Sequence, residues 1–349
     1  MNLNDKILQE DIEILAEKHE WSELQNSSVL ITGATGLIGQ QLVFLLLYLN
    51  ETRNFGIHIY TVIRNINKAK AIFGNDSKIN FVVNDIRKTL EISDKIDYII
   101  HGASITQSRL FVDNPVETID TAYMGTRNIL EFARKKQVKS VVYLSSMEVF
   151  GVTDPQLTEV KENDYGYIDI LNPRSSYSES KRMCECLCAC YSAEFATPVK
   201  IARLVQTLGA GIDYNDTRVI AQFARSVIED KDIVLKTEGL TLRPVVYTRD
   251  AVSGIFTVLL KGIAGAAYNI ANKETVCTIR ETAEMLIENI AKNKIRMRFE
   301  INEPVEYAPN LNLNLNLNLI ESLGWHAEVG LEEAYKRMIE SMKSKSMNP

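Results

Sequence analysis

From Ser28 to Leu204 the chain alternates short, β-rich apolar runs with longer stretches whose apolar positions recur every three or four residues. The runs Val29–Thr32, Ile57–Ile63, Asn80–Val83, Tyr98–His101, Ser140–Leu144 and Val199–Leu204 predict strands. Helical patterns separate most of them, notably Pro115–Lys135 and Ser175–Phe195. Ahead of this rhythm, Leu8, Ile12 and Leu15 share one helical stripe and are followed by Trp21 and Leu24, which predicts an amphipathic helix docked on the body. After Arg203 the pieces shorten. Helices are expected at Val219–Glu229, Asp250–Leu260, Ile279–Asn289 and Leu331–Met342, with fraying beyond, and strands at Ile233–Leu235, Pro244–Val246 and Ile295–Ile301. From Asn310 to Leu319 Asn and Leu alternate, a pattern that fits either an edge strand with its leucines inward or a low-complexity loop.

Strands alternating with crossover helices predict an α/β fold, a doubly wound parallel sheet of the Rossmann kind with a smaller C-terminal α+β lobe. The expected division is an N-terminal helical extension at 1–27, an NAD(P)-binding unit at 28–204, and a substrate-binding lobe at 205–349. Some elements of that lobe are expected to return to the main sheet.

At 349 residues with 46% hydrophobic content the chain can bury a large core. A net charge of -6 argues against a general nucleic-acid binder, and no apolar stretch approaches the ~20 residues of a membrane span. The polar start shows no secretory signal, so a cytoplasmic location is expected. Four of the five cysteines crowd at Cys184, Cys186, Cys188 and Cys190. On a helix only Cys184/Cys188 and Cys186/Cys190 share faces, and no histidine is near in sequence, so they read as buried packing thiols rather than a metal site.

The chemistry begins at Thr32-Gly33-Ala34-Thr35-Gly36-Leu37-Ile38-Gly39, a glycine-rich turn between an apolar run and an apolar helix. Gly33 allows the sharp turn, Gly36 lets the backbone approach a pyrophosphate, and Gly39 lets helix and strand pack closely. The helix start offers free N–H groups and a favourable dipole to the phosphates. The carboxylate that usually follows the second strand to bind NAD ribose is missing; Val62-Ile63-Arg64-Asn65 stands there. Arg64 could accept a 2′-phosphate, so the cofactor reads as NAD or NADP. Asp85 is placed to contact adenine, and Gly102, Ala103 and Ser104 are small enough to let the cofactor lie close.

Tyr177 and Lys181, four residues apart, share a helical face. A free phenol titrates near 10, and a neighbouring cation favours its phenolate, which makes it a usable base. Together with Asp85-Ile86-Arg87, His101-Gly102-Ala103, Ser145-Ser146-Met147-Glu148-Val149-Phe150-Gly151 and Arg203-x-x-Gln206, these strings resemble, in order, the extended short-chain dehydrogenase/reductase family. Within it the chain is similar to the nucleotide-sugar epimerases, dehydratases and decarboxylases, over about residues 28–325. The lengths around Asn114-Pro115-Val116-Glu117-Thr118-Ile119 and Asn215-Asp216-Thr217-Arg218-Val219 resemble the UDP-glucuronate decarboxylase subgroup in particular.

The resemblance implies cofactor contacts from Gly33, Thr35, Gly36, Leu37, Ile38, Gly39, Arg64, Asp85, Ile86, Gly102, Ala103, Ser104, Tyr177 and Lys181. It implies a nucleotide-sugar substrate held by Ser146, Gln206, Arg218 and Arg243, with Arg243 on the pyrophosphate, and a homodimer formed through the helices at Pro115–Lys135 and Ser175–Phe195. In that chemistry Tyr177 takes the proton of a sugar hydroxyl as hydride leaves the same carbon, and Ser146 bonds the same oxygen. Glu148 then acts next to the transient 4-ketone. Met147 cannot supply the proton that expels water in the 4,6-dehydratases. A decarboxylase carries a late arginine, yet no Lys or Arg lies between Phe299 and Tyr335. Epimerisation is therefore the expected outcome. UDP-glucuronate decarboxylation, NADP-dependent ketosugar reduction and a non-catalytic NAD(P)-binding role remain as alternatives.

Overall fold

The computed structural model describes residues 3–74, 76–301 and 312–346. It opens with α1 (Lys6–Lys18), followed by β1 (Ser28–Thr32), α2 (Leu37–Arg53), β2 (His58–Ile63), α3 (Ile66–Phe73), β3 (Ile79–Val83) and β4 (Tyr98–His101). Next come α4 (Ser108–Asp113), α5 (Pro115–Lys136), β5 (Ser140–Ser146), α6 (Ser176–Phe195) and β6 (Val199–Leu204). The remainder is β7 (Gln206–Leu208), α7 (Val219–Ile228), β8 (Ile233–Leu235), β9 (Leu242–Arg243), β10 (Val245–Tyr247), α8 (Thr248–Lys261), β11 (Ala267–Ile270), β12 (Cys277–Thr278), α9 (Ile279–Met285), β13 (Met297–Phe299), α10 (Asn318–Glu321) and α11 (Leu331–Ser346).

Seven strands form one parallel sheet in the order β11-β6-β5-β4-β1-β2-β3. The order reverses between β1 and β4, which opens a crevice beyond their carboxyl ends where such sheets hold ligands. Strand periodicity divides the core. Val29, Ile31, Ile100, Val142 and Leu144 face α1, α2 and α8, while Leu30, Ile99, Val141 and Tyr143 face α5 and α6. A third apolar cluster joins β7, β8, β10, α7, α9 and α11, and gathers most of the later elements, although β11 returns to the main sheet beside β6.

The N-terminal helix is as expected. Asp5 caps it by accepting from the Leu8 N–H at 3.1 Å, and Leu8, Ile12 and Leu15 are buried against the body. Trp21 meets the edge of Phe256, ring centroids 5.2 Å apart.

Several expectations need correction. β5 runs to Ser146, two residues past its predicted end, because parallel pairing with β6 continues there. The Ile295–Ile301 strand shrinks to Met297–Phe299, since only those residues pair with β8. The helix expected over Ile279–Asn289 is α-helical only to Met285 and then widens into a π-turn at Leu286–Ile290. The last helix continues past Met342 to Ser346; the rest of the predicted frayed tail, 347–349, lies outside the described residues.

The Asn-Leu alternation is half right. Residues 310 and 311 lie outside the described residues, and Leu313, Leu315 and Leu317 do turn inward. The segment makes only single bridges, Asn312 to Leu242 and Leu315 to Val160, before α10 begins. The first bridge reaches the short strand β9 and the second a loop, with backbone bonds from the Leu313 N–H to the Leu242 carbonyl and from the Asn316 N–H to the Val160 carbonyl. The Asn314 side chain donates to the Thr158 carbonyl and that of Asn316 to Glu159, adding to those backbone bonds.

The cysteine expectation also splits by face. Cys184 and Cys188 are buried between helix and sheet, but Cys186 and Cys190 point outward and are exposed.

Candidate active site

The glycine turn lies at the head of the crevice. Gly33 has φ +73°, and a Cβ there would stand 2.8 Å from the Gly102 carbonyl group, so turn and β4 loop interlock. A Cβ on Gly39 would lie 2.2 Å from the Gly33 oxygen. Gly36 differs. It is exposed, caps α2 at φ −86°, and a Cβ there would meet only the Gly33 oxygen, at 3.3 Å. Gly33 and Gly39 therefore serve packing, and Gly36 is the glycine that leaves backbone open to a ligand. Leu37 and Ile38 form the first turn of α2, whose unpaired N–H groups face an incoming phosphate. Such a cradle fits a dinucleotide.

Thr32 ties this turn to β4. Its hydroxyl oxygen accepts from the Gly102 and Ala103 N–H groups at 3.2 and 3.1 Å and lies 2.7 Å from His101 Nδ1. With both lone pairs used, the hydroxyl donates to Nδ1, which puts the imidazole proton on Nε2, toward Thr126 Oγ1 at 3.2 Å. Burial, and after it the charge of Lys181, push His101 down to about 3. The ring is a neutral strut beneath the site. Ser104 turns its hydroxyl toward the Ile105 carbonyl.

Just past β3 Asp85 is gripped by Arg87 through both carboxylate oxygens, at 2.6–3.1 Å. The Arg87 bonds, opposed by partial burial and helped by the charge of Arg64, pull Asp85 down to about 2. Arg64 itself is exposed just past β2. The Ile86 side chain packs inward against Gly125, and Asn128 takes its carbonyl, so its side chain belongs to the core rather than the cradle.

Ser146, Tyr177 and Lys181 meet at the end of β5. Ser146 terminates the strand, its hydroxyl caps the following 3-10 turn by accepting from the Glu148 N–H at 3.2 Å, and it is also a hydrogen-bond partner of the Tyr177 phenol. Lys181 donates to the Leu144 carbonyl at 2.7 Å and stands 5.7 Å from the centre of the Tyr177 ring. Burial pushes the ammonium down to about 8. Burial and the charge of Glu148 raise the phenol above its usual range, and Ser146, Arg174 and Arg218 pull it back.

Glu148 is held on both carboxylate oxygens. Arg174 clasps it with two bonds, 2.6 Å to Oε2 and 3.2 Å to Oε1, and Ser178 donates to Oε2 at 2.9 Å. The Arg174 guanidinium lies 5.5 Å from the centre of the Phe111 ring, which stacks on Tyr177 at 4.3 Å and 6°. Across the crevice, β7 and β10 pair in register Gln206–Val245, two residues from Arg243. Arg218 bonds both oxygens of Asp216 and reaches toward the Thr207 carbonyl. Loss of water lowers the Arg243 guanidinium, which Tyr335, Glu148 and Cys277 act on through their charges. Gln206, Arg218 and Arg243 thus lie around the β7–β10 pair, with Arg243 within reach of the Glu148 charge and Arg218 within reach of Tyr177.

Residues 29–271 match the NAD dependent epimerase/dehydratase family, more than half of the chain. The chain belongs to that family. It is 27% identical over 327 residues to UDP-glucuronic acid decarboxylase 1 of Danio rerio, covering 91% of this chain and 73% of the relative. Among solved structures it resembles the Thermotoga maritima UDP-glucose 4-epimerase with UDP-glucose, at TM-score 0.76, 19% identity and 92% and 100% coverage of the two chains. It also resembles the Bordetella bronchiseptica enzyme WbmF in complex with NAD+ and UDP, at TM-score 0.71, 21% identity and 94% and 95% coverage. Those likenesses establish the fold.

For this member of the epimerase/dehydratase family, sequence reading missed Arg174, Ser178 and Phe111. A signal existed for two of them. Arg174 lies one helical turn before Tyr177, and Ser178 follows it directly, so both flank the motif tyrosine. Phe111 reaches the site from α4, 66 residues before Tyr177, and no local pattern announces it.

Proposed function

We propose that this protein binds NAD in the Gly33–Gly39 cradle and isomerises a nucleotide sugar through a transient ketone. The observation that carries the reading is the placement of Glu148 beside the Ser146–Tyr177 pair, held by Arg174 and Ser178. Bound dinucleotide supplies a hydride acceptor next to the sugar. Tyr177 takes the proton of the sugar hydroxyl, Ser146 orients that oxygen, and Lys181 fixes the local charge. Glu148 then removes a proton from the carbon beside the ketone, and Tyr177 returns its proton when the ketone is reduced. Arg243 and Arg218 suit the two phosphates of the nucleotide, a bidentate task for guanidinium, with Gln206 on β7.

NAD rather than NADP follows the family description, and exposed Arg64 is then a surface residue near the ribose. The elements from 205 to 349 serve as the substrate lobe. The working unit is a homodimer in the cytoplasm, supported by exposed Val116, Ile119 and Tyr123 on α5 beside Met183 on α6. Among the described residues no helix is long and apolar enough to cross a membrane.

Two variants test the reading. Tyr177→Phe should keep both ligands and lose turnover by several orders of magnitude; normal turnover would overturn the mechanism. Glu148→Gln should still reduce the cofactor with substrate but admit no solvent deuterium into the sugar ring. The named relatives favour a second reading, decarboxylation of a sugar carboxylate with Arg174 and Arg243 as the only cations we assign to it. Release of carbon dioxide from UDP-glucuronate by the wild-type protein would decide for it.

A further inference from the structure

The Glu148 carboxylate has two unlike oxygens. Oε2 carries two close donors, Arg174 at 2.6 Å and Ser178 at 2.9 Å, whereas among the described residues Oε1 has only the other Arg174 nitrogen, at 3.2 Å. Arg174 cannot easily swing away. Its side chain is only 11% exposed, its Nε is buried with no partner among the described residues, and its plane lies against Phe111. Phe111 in turn is stacked flat on Tyr177. One continuous contact path therefore fixes the carboxylate relative to the phenol.

We propose that Arg174 is a positioning residue for the second half of the reaction, holding Glu148 so that Oε1 is the oxygen that takes the sugar carbon's proton. This rests on the reading of Glu148 given above. The division of labour is geometric. The bidentate clasp stops the carboxylate rotating about its last bond, and the doubly bonded Oε2 is spent on orientation. The proton passes from carbon to Oε1, its bonding pair stays on the sugar as an enolate conjugated with the ketone, and the same proton or one from solvent returns to carbon. No electrons leave the sugar in that step.

The experiment separates the two half-reactions. UDP-glucose and UDP-glucuronate serve as probes, with absorbance reporting reduction of the bound cofactor and mass spectrometry reporting solvent deuterium in the sugar. Arg174→Met should slow cofactor reduction, because the guanidinium that helps hold the Tyr177 phenol down is gone, and should lose deuterium uptake by about 100-fold more than that, the scale of losing one preorganised polar contact. Arg174→Lys should recover part of that loss, and added guanidinium ion should partly restore Arg174→Met, a rescue that a purely structural role does not give.

Equal loss of both half-reactions in Arg174→Met, without rescue, overturns the proposal. So does unchanged deuterium uptake. If Glu148→Gln keeps its deuterium uptake, or neither probe reduces the wild-type cofactor, the reading of the site fails instead.

Discussion

Gly36 and Gly39 lie three residues apart, yet a side chain at each would meet different surroundings. At Gly39 a methyl would overlap the Gly33 oxygen, 2.2 Å away, so Gly39→Val should cost the fold itself. At Gly36 the same substitution meets the Gly33 oxygen at 3.3 Å, a tight but far milder contact, and fills the space through which phosphates approach. Gly36→Val should therefore keep a folded circular dichroism spectrum with a modestly lowered melting temperature while losing dinucleotide binding in calorimetry; unchanged affinity would contradict the cradle. His101 gives a second prediction. Folded His101 stays neutral down to about pH 3, while in the unfolded chain it takes a proton near 6.5. Its contribution is thus fully present above 6.5 and is lost as pH falls through that window. From pH 7 to 4.5 the loss is about 3 kcal/mol. Urea unfolding at the two pH values should show that much less acid sensitivity in His101→Gln. The sequence marked both glycines as site residues, because turn geometry is local, and placed His101 only at the end of a strand. It could not tell the packing glycine from the binding one, since that depends on what the β4 loop brings against the turn.

At the scale of elements, β5, α6 and β6 are joined by charge as well as by packing. Arg203 and Glu185 form an ion pair at 2.6 Å with side chains 1% and 7% exposed. Ser145 donates to the same carboxylate, and Arg203 also donates to the Glu162 carbonyl and the Tyr165 hydroxyl. Glu162 reaches the Asn269 N–H and so ties in β11. Such a pair is costly to break and cheap to replace. Glu185→Ala should lower stability by about 3–5 kcal/mol, whereas Glu185→Leu with Arg203→Met should recover most of it. Denaturant midpoints for the single and double variants check this, and a double variant no better than the single would count against the network. Strands and helices around the pair were legible from periodicity. The pair was not, because its members are 18 residues apart on different elements and their meeting is set by how α6 lies across the sheet.

At the scale of the whole molecule, α1 acts as part of the core rather than as an appendage. Leu8, Ile12, Leu15, Trp21 and Leu24 are each at most 4% exposed, in the same cluster as the sheet and α8. Each buried side chain is worth roughly 1.5–3 kcal/mol, and a protein's net stability is only about 5–15 kcal/mol. A chain starting at Asn26 should therefore fail to reach a cooperative thermal transition; a sharp transition near the wild-type temperature would show the extension to be dispensable. The sequence by itself determined the parallel sheet, the order of its strands' motifs, the dinucleotide turn and the Ser146–Tyr177–Lys181 group. The sheet and the turn are written in periodicity and turn chemistry within a few residues, whereas the Ser146–Tyr177–Lys181 group was legible through the order of motifs that resembles the family. Only the tertiary structure decided that Arg174 clasps Glu148 and that Phe111 stacks on Tyr177. It likewise buried the leucines of the Asn-Leu segment behind single bridges to β9 and a loop instead of a continuous edge strand. Those outcomes depend on which surfaces distant segments present to one another, and no local pattern encodes that.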